Sequence, residues 1–163
     1  MADLTDYCKT IQHAEKDGNR EAADCKAILF DRHDGGFVVS LDKKYSQICQ
    51  VDYIEIIENG VILIELKDLK EQLKSKTPRD ILKNLGKKYT ESIKIIRKHI
   101  NQLVIPILYC VVVKNDTDIV ILDNFFPIKK IKIKFKRPEY FVICKTNEIC
   151  AKLATLDTRL CQE

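Results

Sequence analysis

The sequence predicts an α/β fold of the α+β kind, with a mixed central sheet flanked by helices, and three observations predict it. Glu58-Asn59-Gly60 separates two apolar, β-rich runs. A long amphipathic pattern follows at Thr77–His99, and further β-branched runs come after it. With 163 residues the chain is expected to form one domain, 1–163, that buries a core without disulfides.

The elements are read in order. Thr5–Ala14 and Arg20–Phe30 have helix-compatible composition, separated by Asp17-Gly18-Asn19, and Ala23, Ala27 and Phe30 are taken as one apolar side of the second helix. His33-Asp34-Gly35-Gly36 breaks that segment, and Phe37–Leu41 reads as a first strand. Asp52–Ile57 and Val61–Lys67 form a hairpin. Thr77-Pro78-Arg79-Asp80 opens the long helix, in which Ile81, Leu82, Leu85, Tyr89, Ile93 and Ile96 recur at three and four. Leu103–Lys114 and Ile119–Leu122 are β-branched strands, Ile128–Lys136 and Tyr140–Lys145 another pair, and Asn147–Leu160 a closing helix.

Composition bounds the functional classes. Hydrophobic residues make up 45% and charged residues 32%, a globular balance that argues against intrinsic disorder. A net charge of +4 is too small to establish nucleic-acid binding, so distribution must decide. Seven cysteines, odd in number and with no C-x-x-C pair, read as reduced thiols of a cytoplasmic protein, and a zinc site is not supported. No apolar run is long enough to cross a bilayer, so no membrane partner is expected.

The chemistry lies in the hairpin. If Asn59-Gly60 is its two-residue loop, Glu58 faces Val61, Ile56 faces Leu63, Ile54 faces Glu65 and Asp52 faces Lys67. Asp52, Glu65 and Lys67 then share one face of a strand pair that is apolar on both sides. A buried carboxylate needs a counter-charge or a metal, and two carboxylates with one lysine leave an excess negative charge. Mg²⁺ or Mn²⁺, which favour oxygen ligands, would neutralise it. The bland reading is a solvated ion pair at a strand end.

Asp52, twelve residues and then Glu65-Leu66-Lys67 resembles the D-x(n)-E-x-K signature of the PD-(D/E)XK nucleases, and the order of elements over roughly residues 20–114 is similar to their restriction-endonuclease-like core. Val51 stands where the family name has proline. The resemblance implies a divalent-metal-dependent endonuclease with catalytic Asp52, Glu65 and Lys67. Asp52 and Glu65 would bind metal, and Lys67 would orient the nucleophile or offset charge. It also implies a metal-reaching glutamate on the preceding helix, for which Glu21 is the candidate with Glu15 behind it, and makes His33 a further position to test.

Two cationic features bear on the substrate. Lys130, Lys132, Lys134 and Lys136 alternate with apolar residues, so a strand would present a basic row able to follow a phosphate backbone. Lysines on an edge strand also block aggregation, and both readings stand. The long helix and its approach add Lys74, Lys76, Arg79, Lys83, Lys87, Lys88, Lys94, Arg97 and Lys98, balanced only by Asp80 and Glu91. Nucleic acid, DNA before RNA, is the expected partner, with a homodimer or protein partner open. The alternative function is a non-enzymatic immunity or adaptor module, or a nucleic-acid-binding module, that keeps the nuclease-like fold.

Overall fold

The computed structural model describes residues 3–14, 20–31, 35–58, 60–118, 120, 122 and 141–162. Its centre is a six-stranded mixed sheet in sequence order: β1 (Cys8–Gln12), β2 (Ala22–Leu29), β3 (Tyr53–Ile57), β4 (Gly60–Lys67), β5 (Ile105–Val113) and β6 (Phe141–Lys145). Neighbours from β1 to β4 are antiparallel, whereas β4, β5 and β6 run parallel. Helix α1 (Leu69–Gln72) and the long α2 (Pro78–His99) make the crossover from β4 to β5, and α3 (Thr146–Ala154) follows β6.

All eight residues of β4 are buried, as expected of a strand covered on both faces. On one face Ile54, Leu63, Val111 and Val113 pack with Ile81, Leu85 and Ile96 of α2. On the other, Tyr53, Ile62, Ile64, Cys110 and Val112 pack with Ile149 and Leu153 of α3. Helix α2 begins where the sequence says it should. Thr77 accepts from the Asp80 N–H, the Asp80 carboxylate accepts from the Thr77 N–H, and Pro78 occupies the first turn.

Several expected elements differ. The helices expected at Thr5–Ala14 and Arg20–Phe30 are a 3₁₀ turn (Thr5–Tyr7) and strands β1 and β2. Ala23 and Ala27 are four apart, which satisfies a helical and a strand period alike, so spacing could not arbitrate. Phe30 decides it, because it packs on the α2 side while Ala23 and Ala27 pack on the α3 side, as strand alternation requires. Phe37–Ser40 is a 3₁₀ turn rather than a first strand, since β2 pairs directly with β3 through Leu29 and Tyr53. Val120 and Leu122 are helical, with the Leu122 N–H on the Asp118 carbonyl, rather than extended. β6 pairs in parallel with β5, and the closing helix stops at Ala154 instead of reaching Leu160.

The cysteine reading is also corrected. Cys8–Cys161 and Cys25–Cys150 are disulfides, tying β1 to the C-terminal tail and β2 to α3, while Cys49, Cys110 and Cys144 are free. Separations of 153 and 125 residues carry no local spacing signal, and only the fold brings the partners together. Paired thiols are more typical of oxidising compartments than of the cytoplasm expected from an odd cysteine count. Among the described residues no helix is long and apolar enough to cross a membrane.

Candidate active site

The β3–β4 hairpin pairs Ile57 with Gly60, Ile56 with Val61, Ile54 with Leu63 and Tyr53 with Ile64, two residues away from the expected register. The cause lies at Gly60 and Glu58. A Cβ on Gly60 would stand 1.9 Å from the Ile107 side chain, so this glycine admits β5 rather than making the turn. The positive φ falls instead on Glu58, at 45°. A slip of two keeps every residue on its expected face. Asp52, Glu65 and Lys67 therefore still converge, but Asp52 lies alongside Glu65 rather than Lys67, with the Asp52 N–H donating to Glu65 Oε2 at 3.2 Å.

Backbone bonds hold the cluster in place. The Asp52 carbonyl accepts from the N–H groups of Phe30 and Asp31, and the Val51 N–H donates to Ser92 Oγ on α2. Asp52 Oδ2 accepts from the Leu66 N–H at 2.9 Å. Among the described residues no hydrogen bond reaches its other oxygen, Oδ1, and Asp52 lines a cavity of about 620 Å³. His13, Asp31, Glu65, Lys67 and Lys88 line the same cavity, as do Arg20, Asp68 and Lys114.

Glu65 is 1% exposed and carries two ammonium groups on Oε1, Lys88 Nζ at 2.5 Å and Lys67 Nζ at 3.4 Å. Lys67 also donates to Asn84 Oδ1 at 2.9 Å. Lys88 and Asn84 are four apart on α2, one turn of the same helix edge. The sequence reads Lys88 as one of the cations of that helix's polar face, and the structure turns it inward. The second cation changes the charge count, because Glu65 and Asp52 no longer face one lysine but two.

Asp31, at the end of β2, is the carboxylate the sequence reading missed, and it became visible only once residues 22–29 were a strand beside β3. With it, the described residues lining the cavity include four carboxylates (Asp31, Asp52, Glu65, Asp68) and four cations (Arg20, Lys67, Lys88, Lys114). The charges are not equivalent. Burial, and then the neighbouring Glu65 carboxylate, push the Asp52 pKa up to about 8, so at neutral pH it is largely protonated. Burial pulls the Lys67 ammonium below its ordinary value, against the attraction of Glu65. For Lys88 burial acts in the same downward direction, but Glu65, Asp52 and Asp31 together outweigh it and its pKa is raised.

Glu21 does not join the cluster. It precedes β2 rather than lying on a helix, and its Oε1 accepts from the Asn115 N–H at 2.8 Å and from the Thr146 hydroxyl at 2.5 Å. Thr146 Oγ1 is also 3.0 Å from His13 Nε2. The hydroxyl has one proton, and the carboxylate is its stronger acceptor, so His13 Nε2 is the donor in that pair. The result is a Glu21–Thr146–His13 chain at the cavity wall, which no spacing rule would have indicated. Glu15, His33, Lys130, Lys132, Lys134 and Lys136 lie outside the described residues.

Asp52 and Glu65 offer oxygen donors alone, which suits Mg²⁺ or Mn²⁺, ions bound through one or two carboxylates with several retained waters. Among the described residues no three His, Cys, Asp or Glu side chains form a group able to hold a metal ion. Water and substrate oxygens would have to complete any coordination shell. Comparison with protein-family models, curated proteins and solved structures finds no match to this chain.

Proposed function

We propose that the protein is a divalent-metal-dependent nuclease of the PD-(D/E)XK kind, hydrolysing phosphodiester bonds at the cavity beside Asp52, Glu65 and Lys67. The observation that carries this reading is the convergence of those three side chains, two of them almost wholly buried, at one end of the hairpin and on the wall of one cavity. Supporting it, the antiparallel hairpin, the helical crossover and the parallel strand follow in the order that the motif accompanies in that family.

Asp52 and Glu65 would hold the cation. When bound, it would supply charge neutralisation for the phosphoryl oxygens and a more acidic water. Lys67, held by Asn84 beside Glu65, would offset negative charge at the phosphate. Lys88, which shares Glu65 with Lys67, would add a second positive charge beside the phosphate. With Asp52 protonated, the described lining holds four cations against three carboxylates, a balance that favours entry of an anion.

One observation favours the second reading, a non-catalytic binding module. Lys88 and Lys67 already neutralise Glu65, so the cluster is self-consistent without any cation. Titration with Mn²⁺ separates the two. For a nuclease, Mn²⁺ binds, the binding releases a proton below pH 8 as Asp52 ionises, and Glu65→Gln lowers cleavage of plasmid, single-stranded DNA or RNA by at least about 10²-fold. No Mn²⁺ binding and no cleavage of any of these substrates would leave the binding module.

A further inference from the structure

The solvent face of α2 carries Arg79, Lys83, Lys87, Lys94 and Lys98, all exposed, at spacings of four, four, seven and four residues. At 3.6 residues per turn these positions form one stripe, about 29 Å long at 1.5 Å per residue. Two acidic residues accompany it: Asp80 closes the capping box with Thr77, and Glu91 pairs with Lys94 at 3.3 Å. Among the described residues Arg79, Lys83, Lys87 and Lys98 form no ion pair. A helix face kept for solubility alone mixes both signs more evenly than five cations against two acids, one of them a cap.

The stripe borders the cavity. Asn84 and Lys88, each one residue beyond a stripe lysine, turn inward to hold Lys67 and Glu65. A polyanion lying on the stripe would therefore meet the cluster at the helix edge.

We propose that the exposed face of α2 is the docking track for the sugar–phosphate backbone of a nucleic-acid strand, leading it to the cavity. The nuclease reading enters only in naming nucleic acid as the occupant, and the charge complementarity is independent of catalysis. The track binds without metal, and each lysine that meets a phosphate adds to the salt dependence of binding.

The test is fluorescence anisotropy of a labelled 30-nucleotide DNA, single-stranded and duplex, in EDTA between 50 and 200 mM salt. Lys83→Gln/Lys87→Gln is compared with Lys9→Gln/Lys152→Gln, which removes the same charge from β1 and α3. The α2 pair is expected to weaken binding about ten-fold at 100 mM salt and to flatten the log–log salt slope by about 1.4 to 1.8, while the control shifts affinity less than two-fold. Equal losses in the two variants, competition by poly-glutamate as strong as by unlabelled DNA, or no wild-type binding at 50 mM salt would overturn the track. Because EDTA suppresses cleavage, failure here with intact metal-dependent cleavage removes the track alone. Binding as expected in a protein that never cleaves removes the nuclease reading and leaves the track standing.

Discussion

Glu55 and Glu65 lie on adjacent strands of the same hairpin, both essentially without solvent exposure, yet they do different work. Glu55 faces the α3 side and is fully enclosed. It accepts from the N–H groups of Ile56, Leu160 and Cys161 and pairs with Arg159 at 3.4 Å. Glu65 faces the α2 side and opens on a cavity, with lysines rather than backbone as its main partners. Burial of a carboxylate is thus no functional signal by itself. What separates the two is what the remaining space can admit: Glu55 clamps this chain's own tail, and Glu65 has room beside it for something else.

The comparison breaks most sharply at Glu55. Removing one member of a buried pair leaves the other uncompensated, so Glu55→Ala should cost about 3–5 kcal/mol by chemical denaturation and leave Mn²⁺ binding unchanged. Glu65→Ala should abolish Mn²⁺ binding instead. It should also destabilise the fold, because Lys88 and Lys67 lose their shared partner. Asp52→Ala should instead leave the fold intact or slightly more stable, because it relieves repulsion against Glu65 and, among the described residues, Asp52 has no direct ammonium partner.

A smaller effect sharpens the structural half. The Cys8–Cys161 disulfide closes a loop of 153 residues and ends on the residue whose N–H Glu55 accepts. Chain-entropy reasoning gives about 5 kcal/mol as the most such a link contributes. Because the disulfide and the carboxylate secure the same tail, Cys8→Ser/Cys161→Ser combined with Glu55→Ala should cost less than the sum of the separate losses, by about 1 kcal/mol or more in a double-mutant cycle. Strict additivity would mean that the clamp and the disulfide act on different units.

How much of this was legible follows from the range of the signals. The hairpin, α2 with its capping box, β5 and β6 were readable because caps, turn residues and periodicity are local. The convergence of Asp52, Glu65 and Lys67 survived a wrong turn assignment because a slip of two preserves the face. Strands β1 and β2 were not readable, since the β2 alanines four apart fit either period and strand character comes from the pairing of β1 with β2 and of β2 with β3. Asp31, Lys88 and the Glu21–Thr146–His13 chain escaped for the same reason: each joins the site through a contact between elements distant in sequence.

Asp52 supplies the finest test of the functional half. Its folded pKa of about 8 lies above the ordinary value of 3.8, so between those values the folded state holds a proton that the unfolded state has released. Unfolding then becomes easier as pH rises, and stability attributable to this group falls from about pH 4 to about pH 8 and levels off above. Asp52→Asn removes the titration while keeping the shape. In EDTA its melting temperature should match the wild type near pH 4 and exceed it by a margin that grows up to about pH 8. In Mn²⁺ the order should reverse at the higher pH, because only the ionised carboxylate can take the cation and stabilise the fold by binding. If the wild type gains nothing from Mn²⁺ at pH 8, Asp52 is a second structural acid like Glu55, and the contrast between the two faces of the hairpin reduces to one of packing.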